Sequence, residues 1–198
     1  LGDDPGAWAS QNDQDTRPIA AGTELPMMEP ATPAEGVQMT ISAFALSLEM
    51  QMPVIVRMTK SFGAMEQAVE IPDLEAPAPV VRHPFERQPM RWISVPTNAV
   101  SRHRRQHERL DVITEQFETV AFNQSSGSGK LGIIASGFTH TKLSEVLGKS
   151  GVEHFRILKL GIVNPIPPRL IADFLSAVEA VLVLEENEPF VEAHIKRI

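Results

Sequence analysis

The 198 residues include no cysteine. Disulfides, thiolate-bound zinc and cysteine-held iron–sulfur clusters therefore find no ligand in this chain. Long apolar runs are missing too. The longest, such as Ala180–Leu184, fall far short of the roughly 20 residues a membrane-spanning helix requires. Positive charge is outweighed, with 18 Lys and Arg against 25 Asp and Glu and a net charge of −7. No general basic field draws in phosphate backbones or anionic lipid, which argues against nucleic acid and membrane as partners. Nothing at the start resembles a signal peptide, so a cytoplasmic location is the expectation.

What is present suits a soluble protein: 42% of residues are apolar, enough for one large or two small cores. The chain opens at Leu1, without an initiator methionine, in a polar loop containing Gly and Pro. That start predicts an internal piece of a longer protein.

Residues 1–32 carry no regular period and read as loop, with a short turn of helix around 13–19. A helix is predicted over 33–50, where Thr32 offers an N-cap, Pro33 the first helical position and Glu35 the third. Val37, Ile41, Phe44, Ala45 and Leu48 recur at helical spacing. Pro53 ends that helix, and PVIVRMT follows as a mostly apolar strand. From Ser61 the period disappears while Pro72, Pro77, Pro79, Pro84, Pro89 and Pro96 accumulate, which predicts an extended connection. Val80–Val81, Phe85, Met90, Trp92 and Val95 are apolar enough for it to lie against a surface. A polar helix is expected over 98–121, with Val100, Leu110, Ile113, Phe117 and Val120 as its apolar stripe, and SSGSG reads as a flexible joint.

The last 70 residues alternate strand and helix: strands at 130–137, 155–161 and 180–186, helices at 139–147, 167–178 and 189–198. This order calls for an α/β fold with a parallel sheet, right-handed crossovers and helices on its faces. Function in such sheets sits at the carboxyl ends of strands, here Ser136–Gly137, Gly161–Pro165 and Glu185–Glu188.

Several motifs admit two readings. Gly127, Gly129 and Gly132 match a dinucleotide fingerprint as a string, but they precede a strand instead of opening a helix, so linker is the better reading. Lys130 fails as a P-loop lysine, because Gln124 stands where the first glycine belongs and Leu131 where Ser or Thr belongs. His103 and His107 share a helix face, as a two-histidine metal site requires, yet no third ligand is spaced with them. Arg102, Arg104, Arg105 and Arg109 surround them, and a solvated or partner-facing basic surface is favoured. His83, His140, His154 and His194 show no partners in the sequence. Glu185, Glu186 and Glu188 read as helix capping or an interdomain contact before chemistry. Thr139 could bind an anion or act as an N-cap. The opening loop is the sharpest feature: Asp3, Asp4, Ser10, Gln11, Asn12, Asp13, Gln14 and Asp15 concentrate short donors and acceptors, Gly2, Pro5 and Gly6 shape the turns, and Trp8 suggests that the loop packs on something. It reads as a binding loop.

The strings DDPGAWASQNDQDTR, LPMMEPATPAEGVQM, AFALSLEMQMPVIVRMT, VPTNAVSRHRRQHERL, KLGIIASG, LKLGIVNPIPPRLIADF and VLVLEENEPFVEAHI, in that order, resemble the indolepyruvate:ferredoxin oxidoreductase alpha subunit family along nearly the whole chain. The resemblance implies a thiamine-diphosphate enzyme that oxidatively decarboxylates an aryl 2-oxo acid such as indolepyruvate to an acyl-coenzyme A and passes electrons to ferredoxin. It implies Mg2+ and [4Fe-4S] clusters in the parent enzyme, a beta subunit as partner and an oligomer. Residues 1–72 would be the second half of a pyrimidine-binding-type domain, 73–129 a connection with a polar helix, and 130–198 a transketolase-C-like domain. The family's opening loop lies near cofactor and substrate, which makes Ser10, Gln11, Asn12 and Gln14 the candidate polar contacts. Trp8 and Ala9 stand where many relatives carry His and Ser, which points to a different substrate choice. The acid that activates the aminopyrimidine would lie before Leu1, and the magnesium, diphosphate and cluster motifs after Ile198. The chain would then hold no catalytic residue of its own. Alternatives are a non-catalytic interaction protein and a non-oxidative thiamine-dependent decarboxylase.

Overall fold

The computed structural model describes residues 2–9, 11–70, 84–151 and 154–198. The middle of the Pro-rich stretch, with Pro72, Pro77, Pro79, Val80–Val81 and His83, lies outside them, as does Ser10.

The N-terminal part begins with β1 (Gly2–Asp3), the long loop, α1 (Arg17–Thr23) and β2 (Met27–Met28). Helix α2 (Pro33–Met50) starts where its cap signals put it. Thr32 Oγ1 accepts the Glu35 N–H at 3.2 Å, and the Glu35 carboxylate reaches back to accept the Ala31 N–H at 2.7 Å. Its buried face is Met39, Ala43, Leu46 and Met50, while Phe44 and Leu48 are 71% and 73% exposed. Helix α2 carries two apolar stripes, and its periodicity alone does not say which one meets the sheet.

The expected strand after Pro53 forms as two short pieces, β3 (Ile55–Val56) and β4 (Met58–Thr59), that serve different neighbours. β3 pairs parallel with β2, and β4 pairs parallel with β1. Arg57, between them, keeps the ladder going by donating its N–H to Met28 O at 2.8 Å. Then come α3 (Lys60–Gly63), α4 (Pro89–Trp92) and α5 (Pro96–Phe117). Of the expected stripe on α5, Ile113 and Phe117 are buried and Val100 is exposed.

The C-terminal part alternates as expected: β6 (Leu131–Ser136), α6 (Gly137–Ser150), β7 (Phe155–Leu160), α7 (Pro168–Ser176), β9 (Ala180–Leu184) and α8 (Phe190–Ile195). β7, β6 and β9 pair in parallel, in that spatial order. Two short strands were not expected. The SSGSG segment is not a flexible joint: β5 (Gln124–Gly127) pairs antiparallel with β7 along four residue pairs. Its glycines let the chain turn across the start of β7, where a Cβ at Gly127 or Gly129 would strike the carbonyls of Phe155 and His154. β8 (Ile162–Asn164) pairs antiparallel with β2 and so joins the two halves of the chain.

Side chains alternate across these strands and build cores on both faces. Ile134, Leu158 and Leu160 pack with Met27, Ala20, Ile171, Phe174 and Phe190. Ile133 and Ala135 pack with Leu143 on the opposite side. Met28, Met39, Ile113, Phe117 and Ile162 form a third cluster that draws on both halves. No helix among the described residues is long and apolar enough to cross a membrane.

Gly161 is the pivot between β7 and β8. Its carbonyl accepts the Glu29 N–H at 2.8 Å, and its N–H donates to Asn123 Oδ1 at 3.0 Å. A Cβ there would lie 2.7 Å from Met39 Cε and 2.8 Å from both Phe122 Cβ and the Phe122 carbonyl oxygen. Met39 can swing aside, but the Phe122 backbone cannot. Gly161→Ala is therefore expected to destabilise the fold by about 1–3 kcal/mol, the usual penalty for overpacking. An unchanged urea midpoint would show that this junction is looser than the distances imply.

Candidate functional site

The carboxyl ends of the strands from both halves converge beneath the opening loop. Asp3 ends β1, Glu29 follows β2, Arg57 separates β3 from β4, Ser136 ends β6 and Glu185 follows β9. Arg57 is fully buried; its Nε donates to Asp3 Oδ2 and its Nη1 to Glu29 Oε1, each at 2.5 Å. Arg17, also fully buried, donates from Nη1 to Glu185 Oε2 and from Nη2 to Asp15 Oδ2, both at 2.6 Å. Its Nη2 also reaches the carbonyl oxygens of Glu186 and Glu188 at 2.6 and 2.8 Å.

These two arginines contact four carboxylates, those of Asp3, Asp15, Glu29 and Glu185. Burial pushes the Glu29 carboxyl above the usual carboxylate range, against the pull of Arg57 and Arg17, and nearby Glu186 adds to the rise. Burial also acts to raise Asp15, but hydrogen bonds and charge from Arg17, with the charge of Arg57, hold it below its ordinary value. Burial tends to lower Arg17, yet Asp15, Glu29 and Glu185 keep its guanidinium more firmly protonated than usual. Gly137 makes room for this arrangement: its φ is +49°, and a Cβ there would sit 2.7 Å from Glu29 Oε1.

Asp3 and two further loop carboxylates, Asp4 and Asp13, fasten the loop. Asp3 Oδ2 accepts both the N–H and the hydroxyl of Thr16 at 2.9 Å. Asp4 accepts the N–H groups of Trp8 and Ala9 at 3.1 and 2.6 Å, and Asp13 accepts that of Gly6 at 2.9 Å. Asn187 Nδ2 donates to the Gln14 carbonyl at 3.0 Å, tying the loop to the turn before α8. The acidic residues of the loop are thus mostly its framework. Gln11, Asn12 and the side chain of Gln14 lie on its exposed rim. Trp8 lies over Gly6, where a Cβ would come within 2.8 Å of the indole nitrogen, and is otherwise 77% exposed.

The other sequence candidates resolve as follows. Glu185 both accepts the Val191 and Glu192 N–H groups at the start of α8 and pairs with Arg17, so capping and contact between the two halves fall to one carboxylate. Thr139 is neither N-cap nor free for an anion, because its hydroxyl donates to the carbonyls of Ser136 and Leu184 at 2.5 and 3.2 Å. His103 and His107 acquire the third partner the sequence did not show: their Nε2 atoms each lie 2.9 Å from one oxygen of Glu24. Sequence reading missed Arg17, Glu29 and Arg57. The available signal was a charge interrupting or ending an apolar strand, as Arg57 does in PVIVRMT and Glu29 does after Met27–Met28.

Several buried atoms in the cluster lack a hydrogen-bond partner among the described residues: Asp3 Oδ1, Glu29 Oε2, Arg57 Nη2, Ser136 Oγ and Glu186 Oε2. Spare polar capacity is therefore gathered under the loop, where water or a ligand group could use it. The set does not fit a diphosphate with its magnesium ion. Both arginines are committed to carboxylates, the local charge is negative, and no described metal-ligating group of three lies here. The exposed amides of the rim suit an uncharged ring edge or a polar substrate group.

Comparison with known proteins bears on what such a loop serves. The family described as pyruvate flavodoxin/ferredoxin oxidoreductase, thiamine-diphosphate-binding, matches residues 3–125, which include the whole loop, Arg17, Glu29 and Arg57. The indolepyruvate oxidoreductase subunit IorA of Thermococcus kodakarensis is 37% identical over 99% of this chain, and that of Pyrococcus abyssi is 33% identical over the same share. The chain spans about a third of these relatives, 31% of their length. Among solved structures, the 2-oxoglutarate:ferredoxin oxidoreductase of Magnetococcus marinus superposes with a TM-score of 0.60 over 87% of this chain and 37% of its own, at 16% identity, a likeness of fold. The α/β arrangement expected from the alternating elements is thus shared with a 2-oxoacid oxidoreductase, and the match across residues 3–125 makes this chain a member of the thiamine-diphosphate-binding pyruvate flavodoxin/ferredoxin oxidoreductase family.

Proposed function

We propose that this chain is part of a 2-oxoacid:ferredoxin oxidoreductase that decarboxylates an aryl 2-oxo acid of the indolepyruvate type to an acyl-coenzyme A. The observation that carries this reading is the 37% identity to an indolepyruvate oxidoreductase subunit across 99% of the chain. The division of labour follows the sequence expectation: residues 1–72 belong to a pyrimidine-binding-type domain and 130–198 to a transketolase-C-like domain, linked by 73–129. Thiamine diphosphate, when bound, supplies the electron sink for decarboxylation. The [4Fe-4S] clusters take their ligands from outside these residues, which contain no cysteine, and the magnesium ligands are assigned to the parent enzyme as well. A beta subunit, ferredoxin and coenzyme A are the partners, and the assembly is a cytoplasmic oligomer.

Within that scheme this chain orients. Ser10, Gln11, Asn12 and Gln14 offer polar contacts to the cofactor ring or the substrate, and the Asp3–Arg57–Glu29 and Asp15–Arg17–Glu185 clusters hold the loop that carries them. The direct test is an assay of the full-length protein with its partner subunit, using indolepyruvate, phenylpyruvate and 2-oxoglutarate with coenzyme A and a low-potential acceptor. Preferred reduction with the aryl acids is expected. Carbon dioxide release without acceptor reduction would mark a non-oxidative decarboxylase, and no turnover of any 2-oxo acid would mark a non-catalytic protein.

A second expected result separates binding from scaffolding. Gln11→Ala or Asn12→Ala should lower kcat/KM by about tenfold, the loss of one hydrogen bond worth roughly 1.4 kcal/mol. Both sites are exposed, so stability should stay within about 0.5 kcal/mol. If unfolding midpoints fall while the specific activity of the folded fraction is unchanged, the rim is structural.

A further inference from the structure

We propose that Glu24, His103 and His107 form a binding site for one divalent transition-metal ion of the zinc class, which clamps α5 to the C-terminal end of α1. The three offer two imidazole nitrogens and a carboxylate oxygen within 4.8 Å of one another, each His Nε2 already 2.9 Å from a Glu24 oxygen. Imidazole with carboxylate suits Zn2+, Co2+ or Ni2+ and does not suit Mg2+ or Ca2+, which prefer all-oxygen shells. Three protein ligands leave a coordination position open to water, and the imidazoles, 59% and 53% exposed, face solvent.

Backbone geometry holds the ligands in place before any ion arrives. His103 and His107 stand one turn apart on the 22-residue helix α5. Glu24 caps α1 in a left-handed conformation, φ 56° and ψ 43°, with its N–H bound to the carbonyls of Ala20 and Ala21. Between the two histidines, Gln106 Nε2 donates to the carbonyls of Thr23 and Glu24 at 3.0 and 3.2 Å, which locks the two elements in register. A bound ion of this class takes such donors at about 2.0–2.1 Å.

The neighbouring arginines do not block the site. At about 100° per residue, Arg105 points to the opposite side of α5, and Arg102 and Arg109 lie more than about 100° from the His103–His107 face. Arg104 is closest, at about 80°. The carboxylate of Glu24 offsets part of their charge.

Titration of the full chain with ZnCl2, followed by calorimetry and thermal unfolding, tests the assignment. Saturable binding of one ion per chain and a rise in Tm are expected. His103→Gln/His107→Gln and, separately, Glu24→Gln should each weaken binding by about tenfold or more and abolish the rise, because losing a ligand exceeds the loss of an outer-shell partner. His140→Gln, outside the set, should bind as the parent does. The variants lie on the surface, and matched circular dichroism spectra confirm their fold. No saturable binding by the parent, or equal affinity in the His103→Gln/His107→Gln variant, overturns the proposal.

Discussion

Arg57→Met is expected to destabilise the folded chain by about 3–5 kcal/mol, the effect of removing one partner from a buried ion pair. Arg57 has no solvent access, and both of its direct partners, Asp3 and Glu29, are buried. Met restores the stem volume but leaves two carboxylates without their cation. The loss should depend on pH. The Glu29 carboxyl already lies above its usual value in the folded state, so its favourable contribution is present below about pH 4.5 and fades as pH rises through the raised value. Without Arg57 that value rises further, so the deficit of Arg57→Met should grow as pH rises above the ordinary carboxylate range. Adding Glu29→Gln removes one unpaired charge, and the double variant should be less destabilised than the sum of its parts. Urea denaturation across this pH range checks both points. Strict additivity with a pH-independent deficit would mean that Arg57 acts through packing alone.

Arg17→Met should have a comparable effect on stability, about 3–5 kcal/mol, and a more local effect on the loop. Arg17 is the only described side chain that binds the Asp15 end of the loop, the Glu185 carboxylate and the carbonyls of the turn before α8 at once. Its removal also leaves those two carbonyl oxygens without this donor, a further penalty for buried acceptors. The loop should then open at a free energy well below that of global unfolding. Hydrogen exchange reads this directly: amides of Trp8, Ala9 and Thr16, now held by Asp4 and Asp3, should exchange faster than those of β6. Equal protection at both places would mean that Asp3 and Asp4 hold the loop unaided. In the full-length enzyme the same variant should lose kcat/KM beyond its loss of folded protein, since a loosened rim no longer presents Gln11 and Asn12 in one arrangement.

Much of the architecture is legible in the residues. Thr32, Pro33 and Glu35 mark the start of α2 to the residue, and the apolar run of β6 reads as a strand of a parallel sheet. These are local signals: caps act within one turn, and a strand buried on both faces is mostly apolar. β2, β3, β4 and β8 are only two or three residues long and carry no period to read. β5 is spelled in Gln, Ser and Gly, a linker composition, and becomes a strand because β7 offers it an edge. The face of α2 that meets the core was likewise undecidable from its two apolar stripes.

The candidate site divides along the same line. Chain chemistry by itself determined that the end of the chain is α/β and that no cysteine-held cluster sits within it. It did not determine the opening: residues 1–32, read as loop with a turn of helix around 13–19, hold β1, β2 and the helix α1 at Arg17–Thr23, with Ala20, Met27 and Met28 in the core. Tertiary structure decided that the acidic residues of the loop are its anchors. Their partners are distant in sequence: Arg57 lies 54 residues from Asp3, Arg17 lies 168 from Glu185, and Glu24 lies 79 from His103. Ionic partners so far apart leave no trace in spacing or periodicity. They are chosen only when parallel strands bring their carboxyl ends together and burial makes an unpaired charge too unfavourable to keep.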